Sequence, residues 1–144
     1  MTTDIPNDQT EAQPAILFFA YGTLRQGEGN HGWIEEEIIS ENGEASTRFA
    51  RLHYGRNHRG YPYLIATDNP NDVTTGEVYT LPLNDQVMAM LQMEVNAGYT
   101  LGDIEVTLAD ESNVMAVACL WEGIVGEQVP DNNWKSPERM EFWR

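Results

Sequence analysis

Cations are scarce in this sequence: 8 Lys and Arg stand against 23 Asp and Glu, for a formal net charge of −15, and Lys135 is the only lysine. A phosphate backbone is held by concentrated Lys and Arg, so the composition excludes nucleic-acid binding as a function class. The acidity itself reads as a solvated surface that favours solubility over any one cationic partner. Cysteine is nearly absent, and a single residue, Cys119, excludes both an intramolecular disulfide and a cysteine-based zinc site. It lies in the apolar run Val114–Trp121 and reads as a buried structural thiol. No run approaches the ~20 apolar residues needed to span a bilayer. The N-terminus lacks the basic start and apolar core of a signal peptide, so a soluble, cytoplasmic protein is expected. His31, His53 and His58 are too widely spaced for a helical metal pair, and there is no G-x-S-x-G, G-x-G-x-x-G or P-loop. Neither a metal nor a nucleotide cofactor is expected.

What the chain does have is a core: 144 residues, 41% hydrophobic and 10% aromatic, enough for one domain without staples. Met1–Gln13 is polar and aperiodic and reads as a mobile tail, with the domain over residues 14–125. Residues 126–144 turn polar again, yet Trp134, Phe142 and Trp143 predict that this second tail packs on the body. Ala15–Ala20 is a fully apolar run suited to a central strand that ends at Tyr21-Gly22-Thr23. Asn30–Ile39 predicts a short helix with Trp33, Ile34 and Ile38 on one side. Ser46–Tyr54 and Tyr61–Thr67 read as paired strands around a turn at Gly55–Gly60, and Val73–Leu81 alternates as a strand. A helix over Asn84–Glu94 follows, then a strand pair over Asp103–Leu108 and Val114–Trp121. About six strands and one or two short helices, with no βαβ alternation, predict an α+β fold with mainly antiparallel pairing or a small barrel.

Two places invite chemistry. Val87, Met90 and Leu91 form an apolar stripe at i, i+3 and i+4, and the next position of that stripe is Glu94. A buried carboxylate there has a raised pKa, towards the range useful to a general acid/base; the other reading is a helix that ends earlier and leaves Glu94 solvated. The turn Tyr21-Gly22-Thr23-Leu24-Arg25 follows an apolar strand and offers main-chain N–H groups to an anion or oxyanion, although Tyr-Gly-Thr is also an ordinary turn.

Together, FAYGTLRQGEGNH at Phe19–His31, GEVYTL at Gly76–Leu81 and the helix leading to Glu94 and Tyr99 resemble the γ-glutamylcyclotransferase-like family, including its γ-glutamylamine cyclotransferase and AIG2-like branches. The resemblance implies a small mixed barrel with peripheral helices, in which the turn and one glutamate line a single cavity. It also implies an activity: the glutamate takes a proton from the α-amino group of a γ-glutamyl amine or peptide, the amine attacks the γ-carbonyl, and 5-oxoproline leaves with a free amine. By position, the resemblance makes Glu94 the acid/base. Tyr21, Gly22, Thr23 and Leu24 would hold the γ-glutamyl group through the backbone, Arg25 would stand at the rim, and Tyr99 would be the family tyrosine. The family's Leu-Asp-x-x-Glu-Gly is here Met90-Leu91-Gln92-Met93-Glu94-Val95, without its Asp or Gly, and Tyr99 is followed by Thr100 and Leu101 where the family commonly has basic residues. A protein that keeps the pocket and binds a small metabolite without turnover is the alternative.

Deleting Met1–Gln13 is expected to change neither the melting temperature nor ligand binding. Calorimetry on the truncated chain checks this, and a clear drop in either quantity would show that the segment packs on the domain.

Overall fold

Alternating β-branched and aromatic residues build seven strands in the computed structural model, which describes residues 14–28, 31–55 and 62–134. They are β1 (Ala15–Ala20), β2 (Ser40–Arg48), β3 (Ala50–Tyr54), β4 (Pro62–Ala66), β5 (Val73–Pro82), β6 (Thr100–Leu108) and β7 (Asn113–Leu120). One α-helix, α1 (Asp85–Asn96), lies between β5 and β6. Strands β1, β5, β2, β6 and β7 are successive antiparallel neighbours, and β1 meets β7 in parallel at Phe18 and Val117. That contact closes a five-stranded mixed barrel and removes its free edges. The remaining strands extend the sheet: β4 joins β7 in parallel at Leu64 and Leu120, and β3 joins β4 antiparallel.

Strand β1 is apolar throughout because both of its faces are covered. Phe19 belongs to a core with Val78, Val106, Ala116, Leu52 and Leu64. Its neighbour Phe18 points the other way, into a core with Tyr79, Leu81, Val87, Met90 and Ile34 under α1. Strand β5 shows the same division, with Thr74, Gly76 and Val78 buried on one side and Tyr79 and Leu81 on the other.

Two sequence expectations change. Ser46–Tyr54 is not one strand, because Phe49 adopts a left-handed φ of 63° and turns the chain from β2, paired with β5, to β3, paired with β4. Upstream, β2 extends back to Ser40 through residues whose side chains are mostly exposed, so pairing rather than burial makes that segment a strand. The expected helix at Asn30–Ile39 is instead two single 3₁₀ turns, His31–Trp33 and Glu35–Glu37. No side chain caps the second turn, Ile34 sits at φ −120°, and Trp33 is 43% exposed where Ile34 is fully buried. Beyond β7, Val129, Asn132 and Trp134 are buried, and the main chain of Val129 bonds that of Leu52, so this segment packs on the body. Met1–Gln13, Asn30, most of the turn at 55–60 with His58, Tyr61, Lys135, Phe142 and Trp143 lie outside the described residues.

The exit of β1 packs against the start of β4 so tightly that a Cβ on Gly22 would lie 2.6 Å from Pro62 Cγ. Gly22→Val is therefore expected to destabilise the fold by about 1–3 kcal/mol, with Gly22→Ala a weaker change in the same direction. Urea unfolding measures it; an unchanged midpoint for both variants would mean that β4 yields without cost.

Candidate active site

Where β1 ends, the chain folds into a turn in which the Arg25 N–H donates to the Gly22 carbonyl at 3.0 Å. Strand β5 holds that turn from beside it. Glu77 accepts from Arg25 Nε at 3.2 Å and from the Gln26 N–H at 2.9 Å, and the Tyr79 hydroxyl donates to the same carboxylate. The segments 19–31 and 76–81 thus belong to one hydrogen-bonded unit. Among the described residues, the N–H groups of Gly22 and Leu24 find no acceptor.

Helix α1 delivers the carboxylate. Asn84 caps its start, accepting from the Val87 N–H at 2.9 Å, and is itself tied to Glu37 by its side-chain amide. Val87 and Met90 are buried, Leu91 is half-buried, and Glu94 continues that stripe on the face turned to the body. The helix ends at Ala97, and Gly98 at φ 111° reverses the chain so that the Tyr99 N–H reaches the Glu94 carbonyl at 3.1 Å. A left-handed residue is needed there, and a Cβ would also meet the Trp121 ring at 2.8 Å. This short return sets Tyr99 beside Glu94.

Turn, helix end and β4 enclose a cavity of about 250 Å³. Its floor is buried and made by Phe18, Phe19, Ala20, Tyr21 and Cys119; its mouth is formed by the more exposed Thr23, Tyr63, Met93, Ala97 and Tyr99. Glu94 stands between the two. Burial pushes its carboxyl pKa up, and among the described residues no hydrogen bond or ion pair holds the carboxylate. No described Lys, Arg or His lines the cavity. Tyr21 is held neutral, chiefly by burial and then by Tyr99, Cys119 and Glu94, and its hydroxyl donates to the Cys119 carbonyl at 2.5 Å. The Cys119 thiol is likewise pushed far up, first by burial and then by Glu94, which suppresses the thiolate that a nucleophile needs. Among the described residues no group of three His, Cys, Asp or Glu is arranged for a metal ion, and no helix is long and apolar enough to cross a membrane.

Of the residues singled out in the sequence, Tyr21, Gly22, Thr23, Leu24, Glu94 and Tyr99 meet on this cavity. Arg25 does not. Its guanidinium bonds Glu77, the Asn133 side chain at 2.7 Å and the Trp134 carbonyl at 3.3 Å, so it ties the turn to the chain's last described residues. The sequence also missed Pro62 and Tyr63, which arrive from β4 through pairing that no local pattern encodes, and Met93, whose only signal is its place next to Glu94. Cys119 is the buried thiol expected, yet it is also cavity floor.

Comparison with known proteins bears on the fold and the family. No curated protein matches the sequence. Among solved structures, an uncharacterized protein of Pyrococcus horikoshii superposes with a TM-score of 0.65 at 20% identity, covering 89% of this chain and 96% of that one. An AIG2-like protein of Mus musculus superposes at 0.67 with 17% identity over 87% and 92% of the two chains. A protein described as a gamma-glutamyl cyclotransferase gives 0.57 and 18% identity over 85% and 70%. At these identities the likeness is one of fold. The family described as "Gamma-glutamyl cyclotransferase, AIG2-like" matches residues 18–136, from the middle of β1 past the buried Trp134, and the chain belongs to that family.

Proposed function

We propose that this protein cyclises a γ-glutamyl amine or peptide to 5-oxoproline and the free amine, with Glu94 as the acid/base. The observation that carries the reading is one desolvated carboxylate, without a partner among the described residues, set across a small cavity from a main-chain turn. The family's name supports the substrate class.

The chemistry runs as a proton cycle. A γ-glutamyl substrate brings its α-ammonium to Glu94, whose carboxylate takes one proton and frees the nitrogen lone pair. That nitrogen attacks the γ-carbonyl carbon, closing a five-membered ring, and the carbonyl oxygen gains negative charge that the N–H groups of Gly22 and Leu24 receive. Collapse breaks the bond to the leaving nitrogen, which takes the proton back from Glu94 and then, relayed by the same carboxylate, the second proton of the ring nitrogen, so that the lactam is neutral and the amine departs as ammonium. A carboxyl whose pKa is raised by burial is a better base than a solvated one, and a closed floor keeps water from the reacting carbonyl. Tyr21, with its hydroxyl already committed to the Cys119 carbonyl, shapes the floor and takes no part in the proton transfers.

The reading is tested at Glu94. Glu94→Gln should leave substrate binding nearly unchanged while 5-oxoproline release falls by at least ~10²-fold, because an amide cannot accept the ammonium proton. Wild-type turnover by the folded variant would refute the assignment, and binding without turnover in both proteins would favour a ligand-binding role.

The same variant has a thermodynamic signature. A pKa raised on folding means that ionised Glu94 costs stability, a cost absent at acid pH and growing as pH rises through the folded-state pKa. Glu94→Gln should therefore raise the melting temperature at neutral pH and lose that advantage in acid. A variant less stable than wild type at neutral pH would contradict a desolvated carboxylate.

A further inference from the structure

The mouth of the cavity differs in chemistry from its centre. Thr23, Tyr63, Met93, Ala97 and Tyr99 surround it above the buried Pro62, and Glu94 is the only carboxylate among the described lining residues. Tyr63 is not a loose rim residue: its ring stacks on Trp121 with centroids 4.3 Å apart and planes within 14°. Tyr99 meets both rings, 5.6 Å from Tyr63 and 5.4 Å edge-on to Trp121, and its hydroxyl is spent on the Pro62 carbonyl at 2.9 Å. The result is a preformed wall of ring faces and edges whose supporting contacts do not involve a ligand. Met93 stands by it, 46% exposed, with a flexible, polarisable thioether that adapts to apolar partners.

We infer that the amine half released by this enzyme is apolar and uncharged, ring-bearing by preference. The inference rests on the γ-glutamyl reading above, which places the α-amino group at Glu94 and the γ-carbonyl at the turn. Both contacts lie inward, so the group beyond the scissile bond is directed to the mouth. A cationic amine finds no second carboxylate on the described wall. The net charge of −15 attracts cations at long range, but salt screens that field beyond ~10 Å and it supplies no contact in the mouth. Size points the same way. About 250 Å³ lies below the ~300–1,000 Å³ of sites that enclose drug-sized ligands, which suits a γ-glutamyl group with one ring and not an extended peptide.

The test compares four γ-glutamyl amides on the full chain: the phenethylamide, the ethylamide, the monoamide of 1,5-diaminopentane and γ-glutamyl-glutamate. Release of 5-oxoproline gives kcat/KM, and calorimetry gives Kd. The phenethylamide should lead each of the others by about tenfold or more, the discrimination that an apolar pocket supplies for added apolar surface. Met93→Asp, at an exposed position that tolerates a charge, should shift the order towards the diamine. The diamine or the glutamate compound leading in the wild-type protein would overturn the inference. If no compound is turned over, the catalytic reading fails separately: a Kd order led by the phenethylamide then still supports an apolar mouth, and a flat order overturns it.

Discussion

The second half of strand β1, Phe18–Ala20, is buried on both faces, and the rest of the molecule is arranged around that constraint. A strand of six apolar residues cannot face water on either side, so it must be enclosed by a barrel on one face and covered by a helix on the other. Its parallel contact with β7 closes the barrel, and its alternation sends Phe19 to one core and Phe18 to the other. The site follows from where this strand stops. Unbroken burial runs as far as Gly22, Pro62 allows no side chain at Gly22, and the turn Gly22–Leu24 lines the cavity. Because α1 must cover β1, the last turn of its apolar stripe overhangs the same space, and the residue there is Glu94.

An acid-rich chain with a half-buried carboxylate raises an electrostatic question, answered by what surrounds Glu94. Two other acids on the body are held by partners: Glu77 holds Arg25, the Gln26 N–H and the Tyr79 hydroxyl, and Asp72 holds Thr67 and lies 3.7 Å from Arg51. Glu94 has burial and no compensation among the described residues. A structural role would be served better by a leucine at this stripe position, since an ion shielded from water without a partner destabilises the fold. Such a residue fits a site where local stability is traded for reactivity. Arg25, by contrast, serves the fold, joining the turn to β5 and to the segment at Trp134.

Those parts of the fold that rest on local pattern were legible in the sequence. The apolar run of β1, the alternation of β5 and the stripe Val87-Met90-Leu91-Glu94 each follow from a period that burial imposes. The mixed barrel came from the resemblance, and the structure has it. What the pattern could not carry was long-range. Phe49 breaks a strand through a left-handed φ that serves the corner between β2 and β3, and polar Ser40–Ala45 becomes a strand only because β5 offers it hydrogen bonds. Burial of Ile34 requires no regular helix, so apolar spacing there predicted one that Gly32 and the absence of a cap do not sustain. In the site, Tyr21–Leu24, Glu94 and Tyr99 were legible because they lie at the ends of recognisable elements. Pro62 and Tyr63 were not, since β4 reaches the cavity only by pairing with β7.

The central claim is that barrel and helix together hold the Glu94 carboxyl out of water above the Tyr21–Leu24 turn. NMR titration of the glutamate side-chain carboxyl carbons, with Glu94 assigned by its loss in the Glu94→Gln spectrum, measures this directly. The account predicts a Glu94 midpoint above the ordinary glutamate value. A Glu94 midpoint at or below that value would contradict it.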